Sequence, residues 1–253
     1  MRMLPAALLI CFSFAQADPP TLIRVHRGAG IVQPYVDGRT AVMVLGIASV
    51  SSLPEPWLIE AHDSFESIEQ VDRALSNLSP VRDPGAPYES DDILPSARTM
   101  TALYRVGLSY RPDEAEKVLP KARYLMVSIY RLRPGADPGF AELVRLRRAR
   151  YDSINLDRPE IAYQVISGAA SGTYLFLAPL ASLKTLDDGL AKSPAYAQGV
   201  RQAAATDGQK LAADVEIGHE ILLFRIDPRM SYVPEDFASL DPDFWKGNNP
   251  KNP

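Results

Sequence analysis

The stretch that decides the fold is residues 161–178, IAYQVISGAASGTYLFLA, in which two apolar runs flank a turn containing two glycines. Ile161–Ser167 and Thr173–Ala178 are rich in β-branched and aromatic residues, and this composition predicts two strands. The intervening GAASG predicts a hairpin loop, because glycine adopts the positive φ angles that such turns require. A pair of antiparallel strands is therefore the starting point for interpreting the segments on either side.

A strand and a helix precede this hairpin. Tyr124–Leu132 alternates and is rich in Tyr, Val and Ile, which predicts a strand. Asp137 and Pro138 then form a helix start, since Asp is a favoured N-cap and Pro fits the first helical position. Helical sequence follows the hairpin, and residues 217–226 predict a closing strand. The order β-α-β-β-α-β is that of a ferredoxin-like unit.

Short matches along the chain, in the same order in each half, indicate an internal duplication. The matched pairs are Val25-His26-Arg27 with Ile129-Tyr130-Arg131, Trp57–Ala61 with Tyr174–Ala178, and Tyr104-Arg105-Val106 with Phe224-Arg225-Ile226. The first half therefore predicts the same elements in a reduced form. Its strands are predicted at Leu22–Arg27, Val42–Val50, Trp57–His62 and Thr101–Tyr110.

Two segments of the first half depart from the repeat. Its first helix shrinks to about 31–39, and residues 76–96 form a Pro- and Asp-rich loop where the second half has a long helix. Loops of that length are disordered or functional, and simple drift of the repeat is a further explanation. Asp63 is predicted to cap the second helix, with Glu66 completing a capping box.

The predicted domain plan follows from this repeat. Residues 18–112 form a first ferredoxin-like unit and 121–232 a second. A charged linker bracketed by prolines, 113–120, joins them. The segment 233–253 is predicted to be a C-terminal strap whose aromatic side chains dock on the body of the protein.

Two such units in tandem resemble the dimeric α+β-barrel superfamily. Within it, residues 122–190 are most similar to the NIPSNAP and antibiotic-biosynthesis-monooxygenase group. The resemblance implies an α+β fold in which two sheets pack face to face as a pseudo-dimer within one chain, so a monomer is expected. It also implies a small ligand in a cleft between sheet and helices. Members include cofactor-free oxygenases, haem-degrading enzymes and isomerases, so the fold alone does not select a chemistry.

The N-terminus predicts export. Residues 1–17, MRMLPAALLICFSFAQA, combine a positive start, an apolar run and a small-x-small site, the layout of a secretory signal peptide. The apolar run is too short for a permanent membrane span, which needs about 20 residues. We therefore expect a periplasmic or secreted protein. Cys11, the one cysteine, would be removed with the signal peptide.

Composition excludes several classes of protein. The 253 residues are 46% hydrophobic with a net charge of −4, which excludes a disordered chain and a strongly basic nucleic-acid binder. A single cysteine excludes a disulfide framework and a multi-cysteine zinc site. The predicted topology places His26, His62 and His219 too far apart for a three-histidine metal site. No metal is therefore predicted, and no phosphate-binding glycine pattern predicts a nucleotide cofactor.

Glu60 and His62 are the candidate catalytic residues. They lie two apart on a predicted strand, so they share one face of the sheet, and a carboxylate can orient an imidazole as a general base. The alternative is that both residues lie on a solvated rim of the sheet.

The candidate ligand-binding residues are matched pairs of the repeat. His26 and Tyr130 hold equivalent positions on the two first strands and are expected to meet polar atoms of a ligand. Arg105 and Arg225 are matched on the closing strands, where an arginine can bind a carboxylate or stabilise an enolate. Alternatively, both arginines are edge-strand charges.

The sequence therefore favours an exported protein that binds a small, largely apolar molecule in a sheet-lined cleft. One alternative is a cofactor-independent monooxygenase or isomerase, in which Glu60 and His62 act as base and an arginine stabilises the anion. Another is a structural or interaction protein whose cleft is filled by side chains.

Overall fold

The structure, a computed structural model, describes residues 19–28, 42–51, 55–76, 98–192 and 205–247. The predicted signal peptide, the short helix at 31–39 and residues 77–96 of the long loop lie outside these described residues. Export of the chain stays a prediction. No helix among the described residues is long and apolar enough to cross a membrane.

Eight strands in the described ranges form one antiparallel barrel. Their bounds are β1 (Leu22–Arg27), β2 (Val44–Ser49), β3 (Pro56–His62), β4 (Arg98–Tyr104), β5 (Tyr124–Leu132), β6 (Ile161–Ser167), β7 (Thr173–Leu180) and β8 (Glu216–Ile226). Around the barrel the order is β1-β3-β2-β8-β5-β7-β6-β4, and β4 pairs with β1 to close it. The hairpin of β6 and β7 and the strand β5 are confirmed, whereas the strand predicted over Thr101–Tyr110 ends at Tyr104.

Helices pack on the outer surface of the barrel and at one end of it. They are α1 (Phe65–Ser76), α2 (Pro112–Val118), α3 (Asp137–Ser153), α4 (residues 184–192), α5 (Ala205–Val215), α6 (Glu235–Ala238) and α7 (Pro242–Trp245). The N-cap predicted for α1 is wrong by one residue. Ser64 caps this helix instead of Asp63: the Ser64 hydroxyl accepts a hydrogen bond of 3.2 Å from the Ser67 N–H.

The predicted fold class is corrected by the closure of the sheet. The sequence predicts two ferredoxin-like units packed as an intramolecular pseudo-dimer, but the described chain forms one closed eight-stranded antiparallel barrel. Ile47 of β2 pairs with Ile226 of β8, and Leu103 of β4 pairs with Gln164 of β6. These pairings join strands from both halves into a single sheet without free edges.

The inward-facing residues of the strands form one apolar core. Alternate side chains point inward along each strand. Examples from β1, β3, β5 and β7 are Val25, Ile59, Val127 and Leu175, all buried. Trp57 packs on Phe224 with ring centroids 4.7 Å apart, which joins β3 to β8 across the interior. The outward-facing residues are then left for contact with the helices.

The segments on either side of the second half also pack on the barrel. Residues 113–120, predicted as a linker, form most of α2 and a following 3₁₀ turn. Trp245, in the predicted strap, is buried and donates its indole N–H to the Pro120 carbonyl at 2.7 Å. The strap region therefore contacts this turn.

Candidate functional site

A buried polar cluster lies on the outer face of β1 and β3. Arg24 and Glu60 face each other in the strand register, and the Arg24 Nε lies 2.5 Å from Glu60 Oε2. The Arg24 Nη1 donates to Asp72 of α1, also at 2.5 Å. We call Arg24, His26, Glu60 and His62 the Glu60 cluster.

Both histidines of this cluster point at the same carboxylate. The Nε2 of His62 lies 3.0 Å from Glu60 Oε2, and the Nε2 of His26 lies 3.1 Å from Glu60 Oε1. Glu60 is 0% exposed and His62 is 1% exposed, so the alternative of a solvated rim is wrong. The strand register places the histidines on opposite sides of Glu60, about 7 Å of strand away in each direction.

The electrostatics of the cluster keep Glu60 ionised. Burial raises its pKa, but hydrogen bonds from His26, His62 and Arg24 outweigh this and hold the pKa well below its usual range. The remaining ring nitrogens are also engaged: His62 Nδ1 lies 2.9 Å from the Ser67 hydroxyl, and His26 Nδ1 lies 3.1 Å from the Thr99 hydroxyl. A catalytic role for Glu60 and His62 therefore stays a prediction.

A cavity lies on the outer face of β5 and β8, beneath α3 and α5. We call it the helix cleft; its volume is about 150 Å³, and its wall includes Tyr130, Phe140, Arg147, Glu216 and His219. An apolar cavity of about this volume is large enough for one benzene ring. The cleft therefore has room for a small aromatic group beside polar side chains.

Stacked rings and a guanidinium organise the polar side of the helix cleft. Tyr130 and His219 are opposite each other in the register of β5 and β8, and their rings stack 4.0 Å apart at 12°. Arg147 of α3 donates one N–H to the Tyr130 hydroxyl and another to Glu160 Oε1 at 2.8 Å. Glu160 is buried, so Arg147 is held in place by a charge-assisted bond.

The protonation states in the helix cleft favour a neutral imidazole beside a fixed cation. Partial desolvation by the cleft, together with the Arg147 charge, lowers the pKa of His219 although its side chain remains partly exposed. Burial raises the pKa of Tyr130 well above its usual range and also raises that of Glu216. No residue in the described part of the chain accepts or donates a hydrogen bond at the His219 ring nitrogens. His219 can therefore take up a proton from a bound molecule.

The predicted site residues are distributed over different places. Tyr130 lines the helix cleft and His26 belongs to the Glu60 cluster. Arg105 follows β4 and Arg225 lies on β8, and both are exposed. Among the described residues, neither arginine lines the helix cleft. The structure therefore does not gather the four predicted ligand-binding residues into one site.

Sequence reasoning missed Arg147 and His219 as members of one site. Arg147 belongs to the basic run 145–150, which is typical of a solvated helix face. His219 drew attention only as part of a three-histidine metal site, and no trio of His, Cys, Asp or Glu among the described residues is arranged to hold a metal. The pairing of His219 with Tyr130 depends on a strand register that no short-range pattern reveals.

Comparisons with known proteins give a fold likeness only. No family model matches the chain, and no curated protein matches it. An anthrone oxidase-like protein of solved structure superposes with a TM-score of 0.50 at 12% identity, over 84% of this chain and 93% of that one.

Two further structures match less well. Each is described as a "putative monooxygenase", one from Lactobacillus acidophilus NCFM and one from Fusobacterium nucleatum subsp. nucleatum. The first has 6% identity and a TM-score of 0.48, over 82% of this chain and 94% of that one. The second has 8% identity and a TM-score of 0.48, over 82% of this chain and 93% of that one.

Proposed function

We propose that this protein is a monooxygenase that works by base catalysis in the helix cleft. One observation carries the proposal: the exposed imidazole of His219 is stacked on Tyr130 at a cavity whose wall also holds the Arg147 guanidinium. The lowered pKa of His219 favours the neutral form that a general base needs. A base and a cation are the two groups needed to form an electron-rich anion from a weakly acidic substrate.

The substrate class follows from the size and polarity of the cleft. One ring of a substrate fits against Phe140 and Val144, which are buried apolar residues of α3. A larger substrate such as the three-ring anthrone would place one outer ring in the cleft and leave the rest at its open side. A phenol, hydroquinone or anthrone carries an O–H or C–H whose loss gives an anion delocalised over the ring. His219 takes this proton, and the charge-assisted donors of Arg147 stabilise the oxygen that becomes negative.

The oxidation balances with molecular oxygen as the second substrate. For anthrone, the carbanion reduces O₂ and forms a carbon–oxygen bond; the resulting peroxide then loses water. Anthrone and O₂ together give anthraquinone and H₂O, so one oxygen atom enters the product and the other leaves as water. The proton held by His219 returns to the departing oxygen.

The choice of probe is supported by the fold likeness to the anthrone oxidase-like protein. At 12% identity this likeness concerns the fold, so anthrone serves as a first test compound. An isomerase would use the same proton transfer without consuming oxygen. The helix cleft contains space, so a structural protein with a filled cleft has less support.

Oxygen uptake and quinone absorbance with anthrone test the proposal. We expect saturable, protein-dependent oxidation above the spontaneous rate, with one O₂ consumed for each quinone. His219→Gln should lower kcat about 100-fold, the size of effect that loss of a general base commonly has. Glu220→Gln is the matched control, because Glu220 is the next residue on β8 and does not line the cleft.

Three results would overturn the proposal. They are a rate with the protein equal to the spontaneous rate for anthrone and simple phenols, conversion of the substrate to an isomer without oxygen uptake, and equal activity of His219→Gln and Glu220→Gln. The second result would assign the same base to an isomerase.

A further inference from the structure

A second cavity, larger than the helix cleft, occupies one end of the barrel interior. Its volume is about 470 Å³. It lies on the opposite face of the sheet from the helix cleft, because the strand residues in its wall point into the barrel. We call it the barrel cavity.

The wall of the barrel cavity is apolar. Its strand residues include Ile23, Leu45, Ile59, Leu125 and Leu177. Tyr163 also lines the cavity, but its hydroxyl donates to the Pro20 carbonyl at 3.2 Å. A ligand inside therefore meets hydrocarbon almost everywhere, and a buried polar group on the ligand would lose hydrogen bonds to water.

Among the described residues that line the barrel cavity, the charged ones lie only on α2. Glu116 and Lys117 of α2 line the cavity, while Phe237 and Leu240 near the C-terminus add apolar cover. Lys117 is exposed, and no acidic group among the described residues forms an ion pair with it. An ammonium group in water at an apolar cavity is suited to the polar end of an amphiphile, since the charge stays hydrated while the apolar body is buried.

We propose that the barrel cavity binds a monocarboxylate with a hydrocarbon body, with the carboxylate at Lys117 and the chain inside the barrel. The volume lies within the range of ligand pockets for small organic molecules, about 300–1,000 Å³. It is about three times that of a cavity that takes benzene. This site is separate from the helix cleft and does not depend on the oxygenase proposal.

Calorimetric titration of the full protein with straight-chain fatty acids tests the length dependence. Octanoate, decanoate and dodecanoate are the probes, each used below its micelle concentration. Burial of each methylene should tighten binding about fourfold until the cavity is full. No measurable heat for any of the three acids, or affinities that do not change with length, would overturn the proposal.

Two variants test the location. Ala61→Trp places an indole in the barrel cavity and should weaken dodecanoate binding at least tenfold. Ala149→Trp is the matched control, because Ala149 is exposed on α3 and does not line the cavity. Equal binding by both variants, each shown to be folded by circular dichroism, would place the ligand elsewhere.

The contact with the polar end of the ligand is tested at Lys117. This residue is exposed, so its substitution should leave the fold intact. Lys117→Ala should reduce the affinity for dodecanoate several-fold and leave that for dodecanol unchanged. Dodecylamine should bind more weakly than dodecanoate. If dodecylamine binds more tightly, Glu116 rather than Lys117 receives the polar end and the carboxylate assignment is overturned.

Discussion

Arg24 and Glu60 lie directly opposite each other on β1 and β3, and their side chains form an ion pair of 2.5 Å that is shielded from water. Glu60 also receives both histidines of its cluster, so one buried carboxylate holds three basic side chains. Asp72 extends the network to α1. The carboxylate therefore fixes how this part of the barrel surface packs.

Glu60→Ala should destabilise the protein strongly. It leaves the buried Arg24 charge without its main partner, and breaking a buried pair costs about 3–5 kcal/mol. Glu69→Ala is the matched control, since Glu69 and its partner Arg73 are each 67% exposed. That surface pair is worth about 0–1 kcal/mol. Urea unfolding at pH 7 measures both; similar small losses would contradict a stabilising role for the cluster.

Acid should remove the stabilisation that Glu60 supplies. Its pKa in the folded chain lies below the ordinary glutamate value, so the unfolded chain binds the proton more readily. Glu60 makes its full contribution to the free energy of unfolding above its pKa in the unfolded chain, about 4.3. This contribution is lost as the pH falls toward the pKa of Glu60 in the folded chain. Unfolding free energies measured from pH 7 down to pH 3 should fall more steeply for the wild type than for Glu60→Gln. Parallel curves would show that Glu60 is not the group responsible.

Local sequence patterns predicted the positions of the strands far better than the closure of these strands into one barrel. Tyr124–Leu132 could be assigned from alternation alone, and the glycines of GAASG marked the hairpin. Ile47 and Ile226, by contrast, pair across most of the chain length. No short-range signal encodes such a contact, so the sequence suggested two units where the structure has one barrel.

The candidate sites show the same limit. Glu60 and His62 stood out because they share one face of a predicted strand, but their burial beneath α1 is a tertiary property. Arg147 looked like one of several solvated arginines on α3. Its distinct role depends on Tyr130 and Glu160, which come from two different strand regions.

His219 should titrate below the ordinary histidine value of about 6.5, because burial and the Arg147 charge both disfavour the imidazolium. Arg147→Gln removes the charge, so the midpoint should rise while the effect of burial remains. Arg145→Gln is the matched control, since Arg145 is on the same helix but exposed and paired with Glu142. NMR titration of the imidazole resonances measures all three proteins. An unchanged midpoint in Arg147→Gln would show that the Arg147 charge does not affect the pKa of His219.

Gly168 should be intolerant of any side chain, because it lies where β6 meets β4. Its φ is +84°, and a Cβ there would lie 1.9 Å from the Thr99 carbonyl oxygen. An alanine at this position adopts the left-handed backbone conformation, which lowers the free energy of unfolding by about 1–2 kcal/mol. Its Cβ must also displace β4. We expect a total loss of about 2–4 kcal/mol in urea unfolding, within the range of large single-residue effects.

Two other glycines separate the backbone cost from the steric cost at Gly168. Gly135 has a φ of +78°, and no described atom lies within 4 Å of the position that a Cβ would take, so Gly135→Ala should lose only the backbone part. Gly107 also has open space and no positive φ, so Gly107→Ala should be neutral or slightly stabilising through the unfolded state. The stabilities should therefore rank Gly107→Ala above Gly135→Ala above Gly168→Ala. If Gly135→Ala and Gly168→Ala lose the same amount, then contact with β4 adds nothing, and the close approach of β6 to Thr99 does not limit closure of the barrel.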